Sequence, residues 1–248
     1  MTNSTPASVH AAAEHCVRAG KIEPHQLAAF SALDRALTAE QRLAFTADWR
    51  AAGSPAAPPP APPQPPAPQP ANPLAGFPWF SQLNPSDGPE GPRQCQTSSI
   101  AMALACLGTP GIRDDTDYLK VVRRHGDTTS QAAHQAALAD LGVRARFTQN
   151  CSASEVQAEI RAGRPVCLGI LHHGPVGAPS GGGHWIVAYG FDANGWIVND
   201  PYGELDLVTG RWLRIGGTAG RGLRYSYRNL GPRWEAEGPR TGWAWRFS

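Results

Sequence analysis

Between positions 55 and 73 the chain reads PAAPPPAPPQPPAPQPANP, with eleven prolines and no charge. Proline fixes φ and removes a backbone donor, so this stretch can enter neither a helix interior nor a central strand. It is expected to run as polyproline II at about 3.1 Å per residue, a spacer of roughly 60 Å. A ligand for a proline-binding domain is the rival reading. Its place between two apolar-patterned segments favours the linker. The 248 residues then divide into a small helical module (1–53), a linker (54–73) and a C-terminal domain (74–248).

Hydrophobic residues make up 41% of the chain, enough for a core, and charged residues only 17%, which excludes a highly charged disordered protein and a coiled coil. A net charge of +2 argues against a dedicated nucleic-acid binder. No run approaches the roughly 18 apolar residues of a membrane span. Met1 to His10 lacks a basic start followed by an apolar stretch, so synthesis in the cytoplasm without a secretory signal is expected. Five cysteines (Cys16, Cys95, Cys106, Cys151 and Cys167) form no CxxC pair and no regular pattern. That argues against a disulfide framework.

In the N-terminal module Leu27, Phe30, Leu33 and Leu37 recur at helical spacing. Thr38 with Gln41 has the form of a capping box for a second helix, on which Leu43, Phe45 and Trp49 add apolar surface. His10, His15, Cys16 and His25 match no metal-ligand spacing and are read as surface residues.

The C-terminal domain mixes helices and strands. Helices are expected from Thr97 to Leu107 and from Ser154 to Ala162, the latter with a Ser152/Glu155 capping box and Gly163 at its end. Strands are expected at Pro165–Leu171, His184–Phe191 and Trp196–Asn199, the last two joined through Asp192-Ala193-Asn194-Gly195, where Asn-Gly signals a tight turn. Helices followed by hairpin-linked strands imply an α+β fold.

Cys95 stands at the start of the first of these helices, after a Gly/Pro-rich loop. A helix N-terminus carries partial positive charge and free N–H groups, which favour a thiolate. Cys106 and Cys167, in an apolar helix and a strand, read as buried structural thiols. A thiol nucleophile needs a base. His184 follows Ser180-Gly181-Gly182-Gly183, a run that lets another chain pass close by, and Asp200 ends the next strand, where it could set the imidazole tautomer. An ideal two-residue turn does not set His184 opposite Asp200, so the sequence permits their contact without forcing it. His172 and His173 are rival bases; His125 and His134 read as surface residues.

The segments QCQTSSIAMALACLG and GGGHWIVAYGFDANGWIVNDPYG, about 90 residues apart, resemble the papain-superfamily cysteine peptidases. Among these the chain is most similar to the family that includes the bacteriocin-leader-processing peptidases. The resemblance covers residues 77–205. It implies a papain-like fold, with the nucleophile helix packed on an antiparallel sheet, and the roles of nucleophile, base and orienting acid for Cys95, His184 and Asp200. It also implies an oxyanion-hole glutamine ahead of the cysteine, Gln82 in WFSQLNP, with Gln94 as the rival. The glycine usual after the nucleophile is Gln96 here, and Asn199 can stand in for Asp200. The implied chemistry is acyl transfer with no metal or cofactor.

Arg211 to Ser248 carries eight arginines against two glutamates, with Trp212, Trp234, Trp243, Trp245, Tyr225 and Tyr227. The expected role is completion of the core by the rings with arginine outside; contact with sugar or wall polymer is the second reading and nucleic acid the third. The expected activity is a cysteine peptidase or amidase acting on peptidoglycan peptides. It would be an endolysin-like or virion-associated enzyme that reaches the wall after holin-type release. The alternatives are a leader or maturation peptidase acting on proteins, and a non-catalytic binding or structural module; an intact Cys95, His184 and Asp200 speaks against the last.

Overall fold

The computed structural model describes residues 27–41, 71–84 and 91–248, with Val9, Ala13, Glu14, Val17 and Glu23 as single positions before them. The chain divides into two compact units, Met1–Pro65 and Pro66–Ser248. In the first, α1 spans Leu27–Ala36. Leu27 and Phe30 are half-buried along it, as is Leu37 just past its end. Val9 and Ala13 are fully buried, and Val9 N donates to Asp34 Oδ1 at 3.0 Å. The Thr38 box forms in both directions, Thr38 N to Gln41 Oε1 at 2.9 Å and Gln41 N to Thr38 Oγ1 at 3.3 Å. Leu43, Phe45, Trp49, the proline stretch up to residue 70, and His10, His15, Cys16 and His25 lie outside the described residues.

The second unit begins with three helices: α2 (Cys95–Cys106), α3 (Asp115–Val122) and α4 (Gln131–Asp140). Then follow β1 (Ala145–Cys151), α5 (Ala153–Arg161), β2 (Val166–Ile170), β3 (His184–Phe191) and β4 (Gly195–Asn199). The chain ends with β5 (Gly203–Asp206), β6 (Arg211–Ile215), β7 (Leu223–Ser226), α6 (Tyr227–Trp234) and β8 (Gly242–Phe247). Six strands make one antiparallel sheet in the order β1-β8-β2-β3-β4-β7, and β5 pairs with β6 in a separate ribbon. This is the expected α+β architecture.

Helix α2 is apolar or small on every side, as a helix enclosed by protein must be. Every residue from Gln96 to Leu104 is buried. Its two serines satisfy their hydroxyls: Ser98 Oγ donates to Asp115 Oδ2 (2.7 Å) and Ser99 Oγ to the Trp185 carbonyl (3.0 Å). The second bond ties the helix directly to β3. Ile100, Met102, Tyr118, Leu138, Val187 and Trp245 pack together on the helical face of the sheet. On the other face Ile160, Leu168, Ile186, Trp196, Leu230 and Trp234 form a second core under α5 and α6. The alternation of β3 explains the split: Trp185 and Val187 point one way, Ile186 and Ala188 the other.

Two expectations change at this level. The tight turn of the β3–β4 connection sits one residue ahead of Asn194-Gly195: Asp192 N donates to the Gly195 carbonyl (2.9 Å), with Ala193 and Asn194 between them. Phe191 pairs with Trp196, Asp192 Oδ1 accepts from Asn194 N (2.7 Å) and Gly195 N (3.1 Å), and Gly195 is already the first residue of β4. An irregularity between Ala188 and Gly190 shifts the register further, so that Val187 faces Asn199. His134 is fully buried, not a surface residue. Its ring is satisfied inside the protein, Nε2 toward the Thr128 carbonyl (2.8 Å) and Nδ1 toward Tyr118 Oη (3.0 Å). Burial pulls its pKa down to about 4, so the ring stays neutral, donating to Thr128 and accepting from Tyr118.

Candidate active site

Cys95 is the first residue of α2 and is half-buried, and no side chain caps the helix start. His184 opens β3 and is 5% exposed. Asp200 follows β4 directly and is fully buried.

The earlier turn and the register shift carry Asp200 toward the head of β3, and His184 Nε2 lies 2.7 Å from Asp200 Oδ1. The carboxylate also accepts from Tyr225 Oη (3.1 Å) and Tyr202 N (3.2 Å). Asn199, its rival, is committed elsewhere: it donates to the Pro78 carbonyl (2.8 Å) and accepts from Gly222 N (2.8 Å). With Nε2 held by Asp200, Nδ1 is the ring nitrogen left for Cys95, which lines the same cleft and acts on the charge of the ring. Burial pulls the His184 pKa down, but the charge and hydrogen bond of Asp200, then the contact with Cys95, outweigh it and push it up to about 10. At neutral pH the ring is an imidazolium held by a carboxylate.

Aromatic rings enclose this pair. Trp212 from β6 meets the His184 ring edge-on at 5.2 Å between centroids, and Tyr202 packs on Trp212 at 4.7 Å. His172 lies 5.7 Å from His184 and 4.0 Å from His173. Burial, then the charges of His184 and His173, press the His172 pKa down to about 4. His172 is thus a neutral neighbour without the carboxylate that a base in this site needs. His173 is exposed and its backbone bridges to Ser180.

Gln82 is 1% exposed. Its Nε2 donates to the Gly91 carbonyl (3.0 Å), which also accepts from Gln94 N (3.0 Å), so Gln82 is two hydrogen bonds from the residue before Cys95. Its Oε1 has no partner among the described residues. Gln94 is fully buried just ahead of the helix. Gln96 is buried too, and exchanges hydrogen bonds with Gln131 (2.6 and 3.3 Å), whose Oε1 also accepts from Trp245 Nε1 (3.0 Å). A glutamine after the nucleophile is therefore accommodated by a built amide pair.

A cleft of about 420 Å³ opens beside Cys95 and His184. Its lining includes the Gln96–Gln131 amide pair and two tryptophans, Trp185 and Trp243, the latter 42% exposed. Gly169 sits between the two tryptophans, where a Cβ would come within 3.2 Å of both. Gly181 (φ +111°) and Gly183 (φ +93°) line the cleft in conformations that L side chains rarely adopt, which is why the glycine run precedes His184.

The other described thiols are less suited to attack. Burial raises the pKa of Cys151 to about 12, that of Cys167 well above its ordinary value, and that of Cys106 more modestly. Cys106 is only half-buried, a correction to its reading as a core thiol, because it ends α2 where the helix leaves the sheet. Among the described residues no cluster of three or more His, Cys, Asp or Glu is placed to hold a metal ion, and no helix is long and apolar enough to cross a membrane.

The tail divides between the readings offered for it. Trp234, Trp245 and Tyr225 are core residues, Trp212 covers His184, and Trp243 faces the cleft. Arg233, expected outside with the other arginines, is 1% exposed. Its guanidinium has found backbone carbonyls instead of water. No local pattern in the sequence marks Trp212 or Arg233, since their partners lie tens of residues away.

The model of the Peptidase_C39 like family matches residues 74–220. No curated protein matches the chain. Among solved structures, a protein from Bacillus anthracis described as a C39-like peptidase is similar at 14% identity and a TM-score of 0.48, over 73% of this chain and 98% of its own. The peptidase domain of Streptococcus ComA, a bifunctional ABC transporter involved in a quorum-sensing pathway, is similar at 15% identity and a TM-score of 0.47, over 69% of this chain and 98% of its own.

Proposed function

Because the chain belongs to the Peptidase_C39 like family, whose members are papain-superfamily cysteine peptidases, we propose that it hydrolyses peptide bonds through an acyl-enzyme on Cys95. The observation that carries this reading is the His184 ring held by the Asp200 carboxylate (2.7 Å) in the cleft that Cys95 also lines. The Cys95 sulfur attacks the scissile carbonyl carbon. The oxyanion is met by the Cys95 backbone N–H and the second Nε2 hydrogen of Gln82, a stabilisation of about 3–4 kcal/mol for a donor of this kind. The C–N bond breaks, the His184 proton passes to the leaving amine, and a thioester remains. Neutral His184 then takes a proton from water as that water attacks the thioester, which releases the acid and restores the pair.

The proposed substrate is peptidoglycan peptide. An exposed tryptophan in a cleft that an amide pair also lines suits a peptide carried on sugar. A second unit joined through a proline-rich stretch is a layout suited to an enzyme that works on a solid polymer. Action at the wall after holin-type release, or from a virion, goes with this reading. Protein processing is the second reading, favoured by the apolar Trp185 and Trp243 lining, which also fits the side chains of an extended polypeptide. Turbidity loss of purified peptidoglycan, with wild type beside Cys95→Ala and mass spectrometry of the fragments, tests the proposal. Cysteine-dependent release of peptide fragments is expected. No release from several wall types, with cleavage of a peptide library, would replace it with the protein-processing reading.

A further inference from the structure

Arg233, in the last turn of α6, is the buried charge that the catalytic scheme leaves unexplained. An arginine side chain is always charged, and burying it without a contacting carboxylate is costly. Here the guanidinium donates to four backbone carbonyls on two separate segments. Nε donates to Leu207 (2.8 Å), Nη1 to Leu171 and His173 (both 3.0 Å), and Nη2 to Gly174 (2.7 Å). The nearest acid, Asp206, acts only through its charge, its carboxylate being taken by Val208 N and Thr209 Oγ1.

Those two segments carry the rings around His184. Leu171 to Gly174 is the loop after β2 and holds His172. Leu207 opens the turn into β6, which holds Trp212. The segments also meet through Val176 N and the Val208 carbonyl (2.8 Å), and Leu171 N donates back to the Arg233 carbonyl (2.9 Å). A planar five-donor fork can satisfy four carbonyls pointing from two directions; an ammonium or an aliphatic side chain leaves some of them buried and unpaired.

We propose that Arg233 is a positioning residue for His184: its guanidinium clamps the β2 loop to the β5–β6 turn and so holds the aromatic cover that keeps the His184–Asp200 pair dry. The catalytic consequence rests on the cysteine-peptidase reading, whereas the effect on His184 protonation does not. The groups facing His184 are Asp200 and Tyr202 after β4, Cys95 on α2, and His172 after β2, with His173 packed on His172. Their balance is upward, so water entering through a loosened cover screens it and returns the ring toward its ordinary value. Loss of a nearby positive charge acts in the opposite sense. Arg233→Lys keeps the charge and removes the fork, which isolates the cover.

The test is the ¹⁵N NMR titration of the His184 ring in the full chain, for wild type, Arg233→Lys, Arg233→Met and Trp212→Ala, with kcat and KM on whatever peptide the wild type cleaves. Arg233→Lys is expected to lower the His184 midpoint from about 10 by at least about one unit. It should also reduce kcat by about tenfold to a hundredfold, with KM little changed, the size of loss that follows a small misplacement of a catalytic group. The Arg233→Lys/Trp212→Ala double variant should lose no more than the worse single one, because both act through the same cover. A midpoint that stays or rises in Arg233→Lys, or strictly additive losses in the double variant, would overturn the proposal. If Arg233→Met does not fold, Arg233→Lys and Trp212→Ala still decide it. A shifted midpoint in a protein without Cys95-dependent turnover would sink the peptidase reading and leave the role of Arg233 standing.

Discussion

His184 Nε2 and Asp200 Oδ1 are 2.7 Å apart in a site where the ring is 5% exposed and the carboxylate not at all. In so little water the carboxylate does more than orient the ring: its charge is the leading reason that the imidazolium persists against burial. Orientation and charge can be separated. Asp200→Asn keeps a hydrogen-bond acceptor but removes the charge, so the alkaline limb of kcat/KM should move from about 10 down by more than one unit, while Asp200→Ala should lose activity across the whole range. A pH–rate profile of the two variants reads this, and an unmoved limb in Asp200→Asn would show that orientation alone matters.

Stability should peak near pH 6.5, because the buried histidines pull in opposite directions. His184 has a native pKa raised to about 10, so its stabilisation is fully present below its unfolded value of 6.5 and is lost as pH rises through 10. His134 and His172 are lowered to about 4, so the unfolded chain binds more protons than the native one between 4 and 6.5, and stability falls as pH drops through that window. For the deeply buried His134 the loss reaches about 3 kcal/mol, at roughly 1.4 kcal/mol per unit. Urea midpoints from pH 4 to 10 should show the peak. His184→Gln should flatten its alkaline side and His134→Gln its acid side; a wild-type curve that keeps rising to pH 9 contradicts this.

Gln82 and Gln94 are both buried near the helix start, but only the Gln82 amide reaches back across the Gly91 carbonyl from a separate segment. Gln82→Ala should reduce kcat by about 10²–10³ with little change in KM, the effect of losing an oxyanion donor. Gln94→Ala should act mainly on stability, seen as a lower Tm with kcat within a few-fold of wild type. The opposite pattern would assign the oxyanion role to Gln94.

Trp243 is 42% exposed yet held in place, its carbonyl accepting from Trp234 Nε1 (2.9 Å) and its ring packed on Phe147. A fixed aromatic face open to the cleft gives binding that is the same in ground and transition states. Trp243→Ala should raise KM by about tenfold and leave kcat nearly unchanged. Equal losses in both would place the ring nearer the reacting bond.

Much of the local structure was legible because it depends on near neighbours. The Ser152/Glu155 and Thr38/Gln41 boxes form as their spacing requires, with Ser152 N to Glu155 Oε2 at 2.9 Å. Strands β2, β3 and β4 follow their apolar runs, and Cys95 heads its helix. His134 was misread as surface although a signal was present: with Ala133, Ala137 and Leu138 it completes the buried stripe of α4, and only its polarity concealed that. The His184–Asp200 contact depends on a turn placed one residue ahead of Asn194-Gly195 and a register irregularity at Tyr189, neither of which an Asn-Gly pair announces. Trp212 and Arg233 were not legible at all, since each is defined by partners that only the folded chain brings to it.

The most direct test of the site needs no substrate: alkylation by iodoacetamide near neutral pH, followed cysteine by cysteine by peptide mass spectrometry in wild type and His184→Ala. Cys95 is expected to react at least about a hundredfold faster than Cys151 and Cys167, whose thiols burial holds protonated, and clearly faster than the half-buried Cys106. His184→Ala should abolish that advantage while the others keep their rates. A wild-type Cys95 that reacts no faster than Cys106, or one indifferent to His184, would contradict a nucleophile activated by the His184–Asp200 pair.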